Sequence, residues 1–229
     1  MPTSSHNRYI QECIKLGERS PPRPTNFRVG ALLLSRKTDT DTPEDNDNTM
    51  NDDRILSTGY TMELAGNTHA EQCCFSNYAA VHSIPEDRVA EVLPDEPGRK
   101  LVMYVTMEPC GKRLSGNTPC VQRIINTRAA AGGRGGVHKV YFGIKEPGTF
   151  VGGSSGCKRL TEAGIEWEVV PGLEREILAV ATAGHENREE EIKAALGDET
   201  NVDDISAEER LRQEQQPRNP KKRMMEGLF

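Results

Sequence analysis

The chain has 229 residues and a formal net charge of −6 at pH 7. This charge argues against a protein that binds the nucleic-acid backbone, because such proteins normally carry a basic face. No apolar run approaches the roughly 20 residues of a membrane-spanning helix, and the polar start is not typical of a signal peptide. We therefore expect no nucleic-acid partner, no membrane, and a cytoplasmic or nuclear location.

Apolar residues follow helical or strand-like spacing along most of the chain. In chain order, the predicted elements are a helix at residues 4–17, strands at 29–34 and 54–60, a helix at 69–80, a strand at 101–107, a helix from 121, a strand at 138–144, a helix at 155–163, a strand at 164–170 and a helix at 173–183. Asn67 or Thr68 is the expected N-cap of the second helix. This order predicts an α/β layer sandwich and permits an antiparallel first pair of strands.

Three segments lack an apolar pattern. Residues 37–53 predict an exposed loop, with a functional lid as the alternative. The glycines of residues 132–136 predict a surface loop, because a phosphate-binding loop needs a strand before it and a helix after it. We expect one domain at residues 1–185 and a charged C-terminal tail at 186–229, partly helical or disordered. Its basic cluster at 218–223 is either solvated charge, a nuclear-import signal or a phosphate contact.

Six cysteines in a chain of this size favour metal binding or free thiols over a disulfide framework. Four of them fit small buried apolar positions: Cys13, Cys73, Cys74 and Cys157. The other two, Cys110 and Cys120, follow a predicted strand and open a predicted helix. A helix N-terminus favours a thiolate, so both cysteines stand where a metal ligand is stabilised.

His69, Cys110 and Cys120 are the candidate zinc ligands. Catalytic zinc commonly takes three protein ligands and leaves the fourth tetrahedral position to water. Glu71 follows His69 by two residues, which suits an acid/base group better than a fourth ligand. Two alternatives stay open: a closed zinc site completed by Cys73 or Cys74, and a metal-free pair of core cysteines.

His69-Ala70-Glu71, Pro109-Cys110 and Cys120 together resemble the signature of zinc nucleobase deaminases. The usual two-residue spacer between the cysteines is here nine residues long, Gly111 to Pro119. A long spacer ending in Thr-Pro-Cys is similar to the pyrimidine deaminases of riboflavin biosynthesis. The stretches 26–30, 137–150 and 151–153 also resemble that family, and the likeness covers about residues 5–185.

The resemblance implies a cytidine deaminase-like fold, a three-layer α/β/α sandwich with a five-stranded mixed sheet. It also implies Zn²⁺ as cofactor and a phosphorylated pyrimidine, 2,5-diamino-6-(ribitylamino)pyrimidin-4-one 5′-phosphate, as substrate. The reaction would hydrolyse the 2-amino group to a carbonyl and release ammonia. Glu71 would act as base toward water and then as acid, and Asn26 would hydrogen-bond the substrate.

The nine-residue spacer supplies further candidates for substrate binding. Arg113 is the first choice for the phosphate, because a guanidinium matches phosphate oxygens in a bidentate way, and a solvent-facing Arg113 is the alternative. Lys112 and Lys145 are the next candidates. Bacterial members carry a basic residue just before Thr-Pro, where this chain has Asn117. We also predict that Asn117 and the following Thr118 contact substrate.

Two other functions stay open. Deaminases of free bases, nucleosides or tRNA share the signature, although the acidic charge disfavours tRNA and the long spacer disfavours all three. An inactive deaminase-like scaffold could bind a partner through the tail, but it would have no chemical need for Glu71. Similar enzymes are generally dimers or larger, so we expect a homodimer.

Overall fold

The computed structural model describes residues 5–37, 52–113, 116–130, 135–145 and 155–196. The elements in these ranges are α1 (Ser5–Glu18), β1 (Gly30–Lys37), β2 (Arg54–Tyr60), α2 (Ala70–Val81), a 3₁₀ helix (Glu86–Glu91), β3 (Arg99–Met107), α3 (Cys120–Ala130), β4 (Val137–Ile144), α4 (Ser155–Glu162), β5 (Glu166–Val169), α5 (Glu174–Ala181) and α6 (Arg188–Leu196).

The five strands form one mixed sheet in the order β2-β1-β3-β4-β5. β1 pairs antiparallel with both β2 and β3. β3, β4 and β5 run parallel to one another, so the carboxyl ends of β3 and β4 lie at the same edge. The predicted five-stranded mixed sheet and its antiparallel first pair are confirmed.

Side chains alternate between the two faces of the sheet, and each face is covered by helices. Ala31 and Leu33 of β1 pack with α2, α3 and α4. Leu32 and Leu34 pack with α1 and α5 on the other face. This period of two, with apolar residues on both faces, is what a buried central strand requires. The predicted three-layer arrangement is therefore present.

Gly59 of β2 allows α2 to lie directly on the sheet. A Cβ atom at this position would be 2.4 Å from both the carbonyl oxygen of Ala70 and the amide nitrogen of Cys74. Any residue other than glycine would push the helix away, because these contacts are with backbone atoms. The close packing fixes the first turn of α2, which carries Glu71.

Most predicted elements match the structure within a few residues, but the cap of α2 was predicted wrongly. The N-cap is His69 rather than Asn67 or Thr68, and it makes no capping hydrogen bond through its side chain. The Thr68 hydroxyl donates to the carbonyl of Leu64 instead. The His69 ring faces Cys110 and Cys120, so this helix start is set by the side-chain cluster and not by a cap.

The last strand is shorter than predicted. Gly164 has φ of +70° and forms a turn, and the amide of Ile165 donates to the carbonyl of Leu160. Both residues therefore belong to the turn that follows α4, and β5 begins only at Glu166.

Helix α6 lies within the predicted C-terminal tail. Three of its apolar residues, Ile192, Ala195 and Leu196, pack against the α1–α5 side of the core. Ordered packing therefore extends to Leu196, beyond the domain boundary predicted at residue 185. Residues 38–51 of the loop predicted at 37–53, residues 132–134 of the loop predicted at 132–136, and the basic cluster at 218–223 lie outside the described residues.

All six cysteines are free and buried, as expected for the four that carry no predicted function. Among the described residues, no helix has both the length and the apolar character needed to span a bilayer.

Candidate metal centre and active site

The centre of the site lies where β3 ends and where α2 and α3 begin. His69 is the N-cap residue of α2, Cys120 is the first residue of α3, and Cys110 follows the end of β3. The amide of Cys120 donates to the sulfur of Cys110 at 3.4 Å. Unpaired N–H groups and the helix dipole favour negative charge at such positions, as the sequence predicts for the thiolates.

Three ligand atoms form a cluster that fits zinc. Nδ1 of His69 and the sulfurs of Cys110 and Cys120 lie within 4.8 Å of one another. His69 Nδ1 is 3.5 Å from each sulfur. Tetrahedral zinc, with Zn–S of about 2.3 Å and Zn–N of about 2.1 Å, would place nitrogen and sulfur about 3.6 Å apart. The three residues are therefore positioned to bind Zn²⁺, as predicted.

A zinc ion held by these three residues would keep its fourth position for water. Within the described residues the cluster contains these three ligands and no further Cys, His or carboxylate. Cys73 and Cys74 are fully buried in α2, and burial raises the pKa of the Cys74 thiol to about 12. Neither thiol belongs to the cluster of ligand atoms, which argues against the closed site considered from the sequence.

In the absence of metal, the thiols of Cys110 and Cys120 shift each other's pKa in opposite directions. The hydrogen bond between their side chains lowers the pKa of Cys110 and raises the pKa of Cys120. His69 adds to the lowering at Cys110. A bound zinc ion would deprotonate both thiols, because only thiolates are metal ligands.

Glu71 lies in the same cavity and is 3% exposed. Burial raises the pKa of its carboxyl, and the neighbouring Cys110 adds to the effect. For His69, burial lowers the pKa, but its hydrogen bond to Cys110 and the nearby Glu71 carboxylate outweigh that effect, so the pKa is raised. A buried carboxyl with a raised pKa beside the zinc ligands is suited to accept a proton and to return it.

A cavity of about 290 Å³ opens in front of the metal ligands. Its lining is mixed apolar and polar, which suits a planar polar ligand. The lining residues are Thr25, Asn26, Phe27, Val29, Thr61, Asn67, His69, Glu71, Met107, Glu108, Cys110, Lys112 and Arg113.

Arg113 is buried in the cavity wall, at 8% exposure. One terminal nitrogen donates to Oε1 of Gln72 at 3.1 Å, and the other donates to the carbonyl of Asn67 at 2.5 Å. Among the ion pairs formed by described residues, none includes Arg113. A buried guanidinium whose described partners are neutral is suited to bind an anion.

Asn26 also lines the cavity and lies in the segment before β1. Its amide nitrogen donates to Oδ1 of Asn67 at 2.8 Å, and its amide oxygen accepts from the hydroxyl of Thr25 at 3.2 Å. The side chain predicted to contact substrate is thus held in one orientation at the cavity.

The other predicted substrate ligands divide into two groups. Lys112 lines the cavity and is exposed. Asn117, Thr118 and Lys145 are exposed and are not among the lining residues. Thr118 instead borders a second, smaller cavity of about 150 Å³ beside Arg123. As substrate ligands these three residues stay predictions.

Sequence reasoning overlooked Gln72, Asn67 and Glu108. Gln72 follows His69 by three residues, so the helical period places it on the same side of α2, and this spacing was an available signal. Asn67 and Glu108 are each within two residues of a zinc ligand. Glu108 accepts a hydrogen bond from the Cys157 thiol at 3.4 Å. This bond connects the segment that carries Cys110 to α4.

This geometry, with three clustered zinc ligands and a buried carboxyl beside one cavity, is typical of zinc hydrolases that deaminate nucleobases. Residues 3–131 match the family described as the cytidine and deoxycytidylate deaminase zinc-binding region. The chain belongs to this deaminase family, and the predicted family and zinc cofactor are confirmed.

Within this family, the chain is similar to two proteins that are named as deaminases. The crystal structure of Aspergillus oryzae Rib2 deaminase in complex with DARIPP, a C-terminal deletion mutant, is 70% identical, with a TM-score of 0.75 over 84% of this chain and 98% of that one. The curated diaminohydroxyphosphoribosylamino-pyrimidine deaminase of Schizosaccharomyces pombe is 27% identical over 79% of this chain. This chain spans about a third of that protein, 36% of its length.

A bifunctional diaminohydroxyphosphoribosylaminopyrimidine deaminase/5-amino-6-(5-phosphoribosylamino)uracil reductase from Thermotoga maritima shares the fold. It is 20% identical, with a TM-score of 0.51, over 84% of this chain and 42% of that one. The predicted cytidine deaminase-like fold is therefore confirmed.

Proposed function

We propose that the chain is the zinc-dependent deaminase of riboflavin biosynthesis that acts on 2,5-diamino-6-(ribitylamino)pyrimidin-4-one 5′-phosphate. The observation that carries this proposal is the cavity that joins the open metal position, the Glu71 carboxyl and the buried Arg113 guanidinium. The high identity to the Aspergillus oryzae Rib2 deaminase, whose structure contains DARIPP, supports the same substrate class.

Zn²⁺ held by His69, Cys110 and Cys120 would supply a Lewis acid that activates water. Glu71 accepts the proton that water loses as its oxygen adds to the ring carbon bearing the 2-amino group. Glu71 delivers this proton to the ring nitrogen, then takes the proton of the newly added hydroxyl group and delivers it to the amine. The carbon–nitrogen bond breaks, ammonia leaves, and a carbonyl remains on the ring. The raised pKa of Glu71 suits both directions of transfer.

Arg113 is our candidate for the phosphate ligand. Its charge is buried and its described partners, the amide of Gln72 and the carbonyl of Asn67, are neutral. A bound phosphate would give the buried guanidinium the hydrogen-bond acceptors and the negative charge that compensate for its lost hydration. Lys112, exposed on the same lining, would add positive charge at the mouth of the cavity.

Three broader expectations belong to this proposal. We expect a homodimer in a cytoplasmic or nuclear location, and a charged tail that the deaminase activity does not require. The Rib2 structures of Aspergillus oryzae, obtained from C-terminal deletion mutants, support the expectation that a domain of this kind folds without its C-terminal end.

Ammonia release by the purified full chain tests the proposal. The substrates are the diaminopyrimidine phosphate, its dephosphorylated form, cytidine and guanine, each with and without a zinc chelator. We expect turnover of the pyrimidine phosphate that the chelator abolishes. Turnover of cytidine or guanine alone would favour a deaminase of other bases. No turnover of any substrate by zinc-loaded protein would favour a scaffold without activity.

A further inference from the structure

Two side chains outside the predicted substrate ligands fix the orientation of those ligands. We propose that Gln72 and Asn67 are positioning residues, and that Gln72 orients Arg113 while Asn67 orients Asn26. The inference rests on the proposed function. It adds a structural reason why the enzyme would prefer a phosphorylated substrate.

Gln72 acts on the guanidinium of Arg113. It lies in the first turn of α2, directly after Glu71, and is half-buried. Its Oε1 accepts from Nη1 of Arg113 while the carbonyl of Asn67 accepts from Nη2. A guanidinium is planar and has five N–H groups, so two bonds from its two terminal nitrogens fix the plane. The N–H groups that remain can then face an anion in the cavity.

Asn67 acts on the amide of Asn26. Its side-chain oxygen accepts from Nδ2 of Asn26 at 2.8 Å, and the hydroxyl of Thr25 donates to the other end of the same amide. An amide held at both ends cannot flip between its two orientations. The pattern of donor and acceptor that Asn26 presents to a ring is therefore set by Asn67.

The orientation of Arg113 and the orientation of Asn26 can be tested separately, because Asn67 contacts the two residues through different groups. Its backbone carbonyl binds Arg113 and its side chain binds Asn26. An Asn67→Ala variant removes the contact with Asn26 and keeps the carbonyl that binds Arg113. A Gln72→Met variant of similar volume removes the acceptor for Arg113 and leaves the contact between Asn26 and Asn67 in place.

The first experiment measures kcat and KM of the zinc-loaded Gln72→Met variant with the pyrimidine phosphate and with its dephosphorylated form. We expect the preference for the phosphorylated substrate to fall about tenfold, the effect of one lost hydrogen bond to a charged group. The loss should be in KM, with kcat within about twofold. The control is Gln122→Met, because Oε1 of Gln122 accepts from Nη2 of Arg159 and neither residue lines the cavity.

The second experiment applies the same assay to Asn67→Ala. We expect kcat/KM to fall by a similar factor with both substrates, so that the preference for the phosphorylated form stays unchanged. Asn67→Asp keeps an oxygen acceptor for Asn26 and should recover most of the activity. Zinc content, measured for each variant, should remain at one ion per chain.

These outcomes distinguish a failure of the proposed function from a failure of the role assigned to Gln72. If the wild-type protein does not turn over the pyrimidine phosphate, the proposed function fails. If it does, but Gln72→Met keeps its preference and KM, the assignment of Gln72 is wrong and the function stands. An equal loss with both substrates in Gln72→Met, or a loss of zinc, would mean that Gln72 is merely structural and would also overturn the inference.

Discussion

At the scale of single residues, Glu71 must serve as base and as acid in one reaction cycle. A carboxyl in water would be a weak acid catalyst at neutral pH, because its pKa is several units too low. Burial in the cavity wall raises the pKa of Glu71 and brings it closer to the range that both roles need. The same burial also places the group beside the open metal position.

Replacement of Glu71 by Gln should remove turnover and keep the metal. The amide has nearly the same shape but cannot carry the proton, so we expect kcat to fall about 10²- to 10⁴-fold. Zinc content should stay unchanged, because Glu71 is not one of the three clustered ligands.

The control for this variant is Glu63→Gln. Glu63 accepts from the amide of Tyr60 at 3.2 Å and does not line the cavity. We expect its activity to match the wild type. Wild-type activity in Glu71→Gln would rule out the assignment of the acid/base group.

At the scale of elements, the site depends on the close packing of α2 on β2. The helix start carries His69, Glu71 and Gln72, and its position is set by the contact at Gly59. A shift of this helix would move the acid/base group relative to Cys110, which follows β3, and Cys120, the first residue of α3.

Gly59→Ala should therefore lower both stability and activity. The added Cβ would meet two backbone atoms at 2.4 Å, and overpacking of this kind costs about 1–3 kcal/mol in the free energy of unfolding. We also expect a lower kcat per bound zinc, since the helix must move away from the sheet.

Denaturant unfolding and activity normalised to zinc content measure the two effects. Ile55→Ala is the matched control on the same strand, because Ile55 is 54% exposed and its loss should change stability by about 0.5 kcal/mol or less. Unchanged unfolding in Gly59→Ala would contradict the importance of this contact.

At the scale of the whole molecule, the metal centre joins segments that are far apart in the sequence. His69 is the N-cap residue of α2, whereas Cys110 and Cys120 flank the spacer that follows β3. A metal that binds the folded chain and not the unfolded one adds its binding free energy to the stability.

Removal of zinc should lower the melting temperature. Binding at 1,000 times the dissociation constant stabilises a fold by about 4 kcal/mol, so chelation should produce a shift of several degrees in a thermal scan. Cys110→Ser should lose the metal, and chelator should then have no further effect on its melting temperature. An equal shift in wild type and Cys110→Ser would show that the chelator acts elsewhere.

The sequence predicts the parts of the site that follow from local spacing. His69 and Glu71 stand two residues apart, and both cysteines stand at element ends, so their chemistry can be inferred without coordinates. The strands are equally predictable, since β1 and β3 are apolar on both faces. These features depend on neighbours in the chain.

Features that depend on contacts between distant segments were not predictable. The bond of Arg113 to Gln72 spans 41 residues of sequence, and that of Asn26 to Asn67 also spans 41. The N-cap of α2 was predicted wrongly for the same reason, because the cysteines that attract the His69 ring lie much later in the chain.

The order of the strands has a consequence for how the protein acquires its metal. β3 lies on the opposite side of β1 from β2, so the chain that leaves β2 through α2 must cross β1 before the two cysteines can meet His69. Such non-local pairing is slow compared with the closing of a neighbouring hairpin. We therefore expect zinc uptake to be a late step in folding, and the rate at which the metal is captured should report when the central pairing of the sheet is complete.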